Sequence, residues 1–190
     1  VALAEFKGSW AGAMGHTQFI PTTYADYAAD GTGDGIKNIW TEPRDALASS
    51  AYYLKRMGWK KGLAWGFEVS VPSDFNFAEA RIKNTKSPAY WRDKGVTALG
   101  REIPDDVGNV SIFAPAGLRG PVFMLTKNFR VLLRYNTAPA YALAVGHLAD
   151  RIIGAGPIEK SWPRNDPPLS RDQVRQMQTL LSSKGFSTGG

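Results

Sequence analysis

Residues 8–21 read Gly-Ser-Trp-Ala-Gly-Ala-Met-Gly-His-Thr-Gln-Phe-Ile-Pro. Ser9, His16, Thr17 and Gln18 bring hydroxyl, imidazole and amide groups into a stretch otherwise made of small residues and Trp10. Gly8, Gly12 and Gly15 let the backbone come close to another surface. An apolar ring face beside several donors and acceptors suits a sugar; the plain alternative is a packed turn between two helices. The segment is not a phosphate loop, because it has no Gly-Lys-Ser/Thr and no preceding strand. His16 reads as a rim residue and His147 as structural.

Residues 30–36, Asp-Gly-Thr-Gly-Asp-Gly-Ile, place oxygen ligands at alternating positions. Asp30, Thr32, Asp34 and the Ile36 carbonyl match positions 1, 3, 5 and 7 of an EF-hand loop, with Gly35 at position 6. Position 12 is Thr41 instead of Glu, and Asp45 is the nearest carboxylate that could take its place. The loop therefore reads either as a possible structural calcium site or as an Asp-Gly turn without metal. No cofactor is required.

Several elements must position these groups. Thr22 or Thr23 can cap a short helix over 24–29, and Pro43 opens a helix to about Met57 that ends at Gly58. On that helix Leu47, Ala51 and Leu54 form an apolar stripe widened by Ala46, Ser50 and Met57. Strands are predicted at 66–72, 110–114 and 121–125, the last two joined as a hairpin through Gly117–Gly120. A helical turn follows Pro88. Further helices cover 128–135 and 138–153, the second with Ala138, Tyr141, Ala142, Val145, Leu148 and Ile152 at helical spacing. Residues 155–168 are a Pro-rich linker, and Ser170 caps a helix carrying Val174, Met177, Leu180 and Leu181. The fold class is mainly α with a small β element, α+β.

With 190 residues the chain is long enough to bury a real core. Hydrophobic residues at 43% and charged residues at 21% exclude a disordered tail or a coiled coil. There is no cysteine, which excludes disulfides, thiolate metal sites and cysteine nucleophiles. A net charge of +6 favours anionic partners, or serves solubility alone. No Lys/Arg cluster of the nucleic-acid-binding kind is visible along the sequence, so no nucleic-acid partner is expected. Both ends read as cut, at Val1 without Met and at Gly190, so a missing signal peptide does not argue for the cytoplasm.

Residues 8–24 resemble the central motif of the MltB-type lytic murein transglycosylases. Three further stretches are similar to that family: residues 30–40, residues 45–54 with Gly58-Trp59, and residues 128–136 followed by 141–146. The resemblance covers about residues 8–153. It implies a lysozyme-like transglycosylase core, truncated on its N-terminal side and spanning 1–154. Residues 169–190 are similar to the start of a small helical peptidoglycan-binding module, itself truncated.

The resemblance implies non-hydrolytic cleavage of the β-1,4 bond between N-acetylmuramic acid and N-acetylglucosamine, giving a 1,6-anhydromuramyl product. Peptidoglycan strands would be the partner, and the location periplasmic or outer-membrane-associated. A substrate hydroxyl is the nucleophile, so one glutamate suffices where ordinary glycosidases use two carboxylates. That glutamate is expected upstream of Gly8, in an N-terminal segment missing from this chain. Glu5, Glu42, Glu68, Glu79, Glu102 and Glu159 match no catalytic position, and no catalytic residue is assigned. Substrate contacts are carried over to Ser9, Gln18, Tyr53, Tyr135, Asn136 and Tyr141. Some family members bind calcium in the loop matching Asp30, Thr32, Asp34, Ile36 and Asp45. The alternative function is a non-catalytic peptidoglycan-binding or scaffold protein.

Overall fold

The computed structural model describes residues 7–165 and 167–188. In chain order the elements are α1 (Pro21–Tyr27), α2 (Pro43–Arg56), β1 (Gly66–Ser70), α3 (Pro88–Asp93), β2 (Thr97–Ala98), β3 (Ser111–Phe113), β4 (Val122–Leu125), α4 (Lys127–Tyr135), α5 (Pro139–Ile152) and α6 (Arg171–Ser183). Short 3-10 turns at Phe77–Glu79, Asp105–Val107 and Gly117–Arg119 join them. The class is α+β, as the sequence pattern predicts.

Proline starts four of these helices. It stands in the first turn of α1, α2, α3 and α5, where its missing N–H is no loss and its φ is already helical. For α1 this overturns the expected Thr22 or Thr23 cap: Ile20 is the N-cap, with no side-chain bond. Hydroxyls begin the other two. Thr126 accepts the Asn128 N–H ahead of α4, and Ser170 and Gln173 form a reciprocal capping box ahead of α6.

The sheet runs β2-β1-β4-β3 and is antiparallel throughout. β4 is buried along its whole length. Val122 and Met124 face one core with Trp91, Val110 and Ile112. Phe123 and Leu125 face another with Trp65, Phe129, Leu132, Ala142 and Leu143. Alternation across the pleat thus lets one four-residue strand serve both layers. The predicted 110–125 hairpin exists, though its connection is a 3-10 turn at Gly117–Arg119.

Two predicted stripes are rotated in the structure. On α2 the buried residues are Asp45, Ala46 and Ser49, while Leu47 is exposed. The helix packs against the backbone of the 29–38 loop, so its inward face needs hydrogen-bonding groups more than bulk. On α5 the buried residues are Ala142, Leu143 and Gly146, while Leu148 and Ile152 are 59% and 77% exposed. Here α5 lies on the Trp65 indole, and a Cβ at Gly146 would come within 2.6 Å of that ring.

The Pro-rich stretch runs along the sheet side of the molecule. Glu68 accepts the N–H groups of Glu159 and Lys160 at 2.7 and 2.8 Å. Ile158 packs against the second core, and the Trp162 ring lies 6.4 Å from that of Phe123. Beyond it, α6 buries none of its residues.

Gly146→Ala is expected to lower stability by about 1–3 kcal/mol through overpacking against Trp65. Thermal melts check this; an unchanged midpoint would show that the indole moves aside freely.

Candidate functional site

The 14–19 segment is folded into a double turn. Met14 bridges both Gly8 and Phe19, and Gly15 stands at φ +64 with no room for a side chain beside Ile39. Gln18 follows at φ +51, the one described non-glycine residue in the left-handed region. Such a backbone typically costs on the order of 1–3 kcal/mol and marks a place where the surroundings dictate the conformation. Backbone bonds close the turn, Gln18 N–H to the Gly15 carbonyl at 3.2 Å and Phe19 N–H to the Met14 carbonyl at 3.1 Å, and the Gln18 amide Nε2 adds a second donor to the Gly15 carbonyl at 2.9 Å.

Two helices complete the site. Tyr53 from α2 and Tyr135 from α4 meet edge to face at 5.3 Å, and the Phe19 ring lies 5.8 Å from each. Tyr27 from α1 backs Tyr53 at 5.0 Å. Above them opens a cavity of about 240 Å³ lined by Gln18, Phe19, Ile20, Thr23, Tyr53, Arg134 and Tyr135.

Both phenols are held by backbone carbonyls. Tyr53 Oη donates to the Arg134 carbonyl at 2.8 Å, and Tyr135 Oη to the Thr17 carbonyl at 2.6 Å. With that proton engaged, Ser50 Oγ, 3.4 Å away, is the donor to Tyr135. The phenols are neutral across the physiological range, and burial pushes their pKa values further up. Neutral donors and acceptors over aromatic faces fit an uncharged polar ligand such as a sugar.

The six residues carried over as contacts fall into three groups. Gln18, Tyr53 and Tyr135 line one cavity. Tyr141 is exposed on the first turn of α5 and does not line that cavity. Ser9 and Asn136 are used locally: Ser9 Oγ accepts the Ala13 N–H at 3.1 Å, and Asn136 Oδ1 the Ala138 N–H at 2.9 Å ahead of α5. The sequence reading missed Phe19, Ile20, Thr23, Ser50 and Arg134. Phe19 and Arg134 each adjoin a residue that was found, and that adjacency was the available signal. Trp10 is fully exposed and His16 lies at the surface.

No carboxylate lines this cavity among the described residues. Glu42 caps α2, and Glu68 holds the 159–160 backbone. Glu79 accepts from Tyr90 and Lys94, whose hydrogen bonds hold its carboxyl below the usual range. Glu5 lies outside the described residues.

In the Asp30 loop the carboxylates meet backbone. Asp30 accepts the N–H groups of Thr32, Gly33 and Gly35, and these bonds, Gly35 and Gly33 foremost, pull its pKa down. Asp34 accepts the Ile36 N–H at 2.8 Å. Asp45 is 1% exposed and takes one N–H on each oxygen, from Gly31 at 2.8 Å and Asn38 at 2.7 Å. Among the described residues no three His, Cys, Asp or Glu side chains converge on one point.

Tyr135→Phe leaves the Thr17 carbonyl without its donor and is expected to cost about 1 kcal/mol, or roughly 2–4 °C in melting midpoint. Gln18→Ala keeps the backbone turn, so its midpoint should stay near wild type while ligand binding at the cavity weakens. Calorimetric melts of the two variants check the contrast; equal losses would make Gln18 a purely structural residue.

Residues 1–150 match the family described as Transglycosylase SLT domain. The chain is 34% identical over 156 residues to membrane-bound lytic murein transglycosylase B of Escherichia coli K12, covering 78% of this chain and 40% of that protein. Its structure is similar to SltB3 of Pseudomonas aeruginosa in complex with NAG-NAM-pentapeptide, with a TM-score of 0.89 and 47% identity over 100% of this chain and 52% of that one. It is also similar to the Escherichia coli lytic transglycosylase Slt35 in complex with calcium, with a TM-score of 0.63 and 32% identity over 77% and 46% of the two chains. The chain thus spans about half the length of these relatives. On the match over residues 1–150, the motif turn at Gln18 and the facing α2 and α4 tyrosines, the chain belongs to the transglycosylase SLT domain family.

Proposed function

We propose that this chain supplies the glycan-holding wall of a lytic transglycosylase acting on peptidoglycan. The observation that carries the reading is the aromatic cavity where Gln18, Tyr53 and Tyr135 meet, with Arg134 in its wall, in a chain of this family. The bond cut is the β-1,4 link between N-acetylmuramic acid and N-acetylglucosamine. A glutamic acid from outside the described residues protonates the leaving oxygen as the bond to the anomeric carbon breaks. The muramyl C6 hydroxyl then bonds to that carbon and returns its proton to the carboxylate, which closes the 1,6-anhydro ring. Gln18 and the two tyrosines hold the sugar in register and leave its hydroxyls free for this internal attack, which gains from proximity.

The relatives named as murein transglycosylases support an envelope location, periplasmic or at the outer membrane. Among the described residues no helix is long and apolar enough to cross a membrane. Helix α6, amphipathic and unburied, supports the start of a small peptidoglycan-binding module over residues 169–190.

A non-catalytic scaffold is the second reading, favoured by the lack of a carboxylate in the described cleft. The gene's full product, incubated with purified sacculi, is expected to release 1,6-anhydromuropeptides detectable by mass spectrometry, while residues 1–190 alone release none. Binding without release by the full product would establish the scaffold reading. Release by residues 1–190 would reopen Glu5.

Calcium is proposed for the Asp30 loop. Its donor set is all oxygen, the class calcium takes, and Asp30, Thr32, Asp34 and the Ile36 carbonyl would hold the ion. Asp45 serves the loop backbone instead. With two carboxylates and no bidentate Glu, affinity should fall in the range of about 10⁻⁴–10⁻³ M. Millimolar calcium is expected to raise the melting midpoint over an EGTA control, and Asp34→Ala to abolish the shift. A wild-type protein indifferent to calcium would leave a self-capped turn.

A further inference from the structure

The net charge of +6 is concentrated in one place. Residues 55–61 hold four cations and residues 127–134 three, with no carboxylate in either, so everything else together is one unit negative. The two segments are distant in sequence and joined in the fold. Arg134 Nη1 donates to the Met57 carbonyl at 3.3 Å, and the Asn128 amide exchanges hydrogen bonds with both backbone groups of Lys60. The Lys127 ammonium lies beside Gly58.

The cations are arranged, not scattered. Lys127, Arg130 and Arg134 recur at i, i+3 and i+7, one face of α4; Lys127 and Arg134 are exposed, while Arg130 is half-buried and donates to the Asn109 carbonyl at 3.1 Å. Among the described residues none of the seven forms an ion pair. Lys127 sits in the first turn of α4, where the helix dipole disfavours a cation. A surface tuned only for solubility would intersperse both signs. The stripe begins at Arg134 in the wall of the Tyr53–Tyr135 cavity. It ends at a second cavity, of about 570 Å³, lined by Lys60, Lys61 and Arg101 with Asp106.

We propose that this stripe is a subsite for the peptide substituents of the glycan strand, taking their carboxylates while the sugars occupy the cavity at Gln18. The inference rests on the peptidoglycan reading above. Reach is adequate: Arg134 and Lys127 are about 10 Å apart along the helix axis at 1.5 Å per residue, and an extended pentapeptide spans about 17 Å. Arg134 offers a planar fork suited to a carboxylate near the sugar. The lysines add attraction that salt screens over about 8–10 Å.

The test uses the full-length protein and the triple variant Lys60→Ala, Lys61→Ala, Lys127→Ala, with melting curves to verify folding. Two substrates are compared: peptide-bearing strands, and strands stripped of peptide by an amidase. Turnover and equilibrium binding are both measured. The preference of wild type for peptide-bearing strands, as a ratio of KM or Kd values, is expected to fall about five- to tenfold in the variant, the size expected of three exposed charge contacts. Raised salt should shrink the difference. An unchanged ratio, or equal weakening on both substrates, overturns the proposal. So does an unchanged ratio with lost binding to phosphatidylcholine–phosphatidylglycerol vesicles, which would assign the stripe to a lipid surface. Wild type that binds both strand types and cleaves neither refutes the transglycosylase reading instead, and the binding ratio still judges the stripe.

Discussion

Asn128 is completely buried, and its amide is answered by the 60–63 loop. Its Oδ1 accepts the Lys60 N–H, and its Nδ2 donates to the carbonyls of Lys60 and Leu63, all within 2.9 Å. Beside it, buried Thr126 donates to the Ala64 carbonyl at 2.6 Å while capping α4. Losing either partner would strand buried polar groups at about 1–3 kcal/mol each. The start of α4 is therefore locked to the chain leaving α2. Nine residues of rigid helix, about 13 Å at 1.5 Å per residue, then carry Arg134 and Tyr135 to the cleft.

At that far end the same logic repeats with hydroxyls. Tyr135 reaches the Thr17 carbonyl across 118 positions of sequence, and Tyr53 reaches the Arg134 carbonyl across 81. The cleft is thus assembled from three segments joined by two bonds from a side chain to another segment's backbone. Its floor is phenol and amide, neutral at physiological pH, with the Arg134 guanidinium in its wall and the other cations farther along α4 and α2. A neutral floor beside a charged flank suits a polymer whose backbone is uncharged sugar and whose branches are acidic.

Fold and site were legible in the sequence to different depths. Helix starts could be read because proline and capping hydroxyls act locally: Pro43, Pro88 and Ser170 open or cap helices where the pattern places them. Gln18, Tyr53 and Tyr135 were reachable only through the family resemblance, since nothing in their spacing brings positions 18, 53 and 135 together. Stripe phase was not legible. An apolar arc on α5 is wide enough to seat in more than one rotation, and the Trp65 indole selected Gly146, which no hydrophobic scale would choose. On α2 the inward face is polar because it meets loop backbone, with Ser49 accepting the Ala29 N–H at 2.9 Å.

The sequence by itself determined the class, the helix boundaries to within a few residues, the family and the net charge, because each is local or additive along the chain. Tertiary structure alone joined the two cationic segments and decided which tyrosines share a wall. It also decided that Asp45 serves backbone N–H groups and that the Pro-rich stretch is held by Glu68. Those outcomes depend on pairs far apart in sequence, and a buried polar group takes whichever partner the packing brings within hydrogen-bond reach.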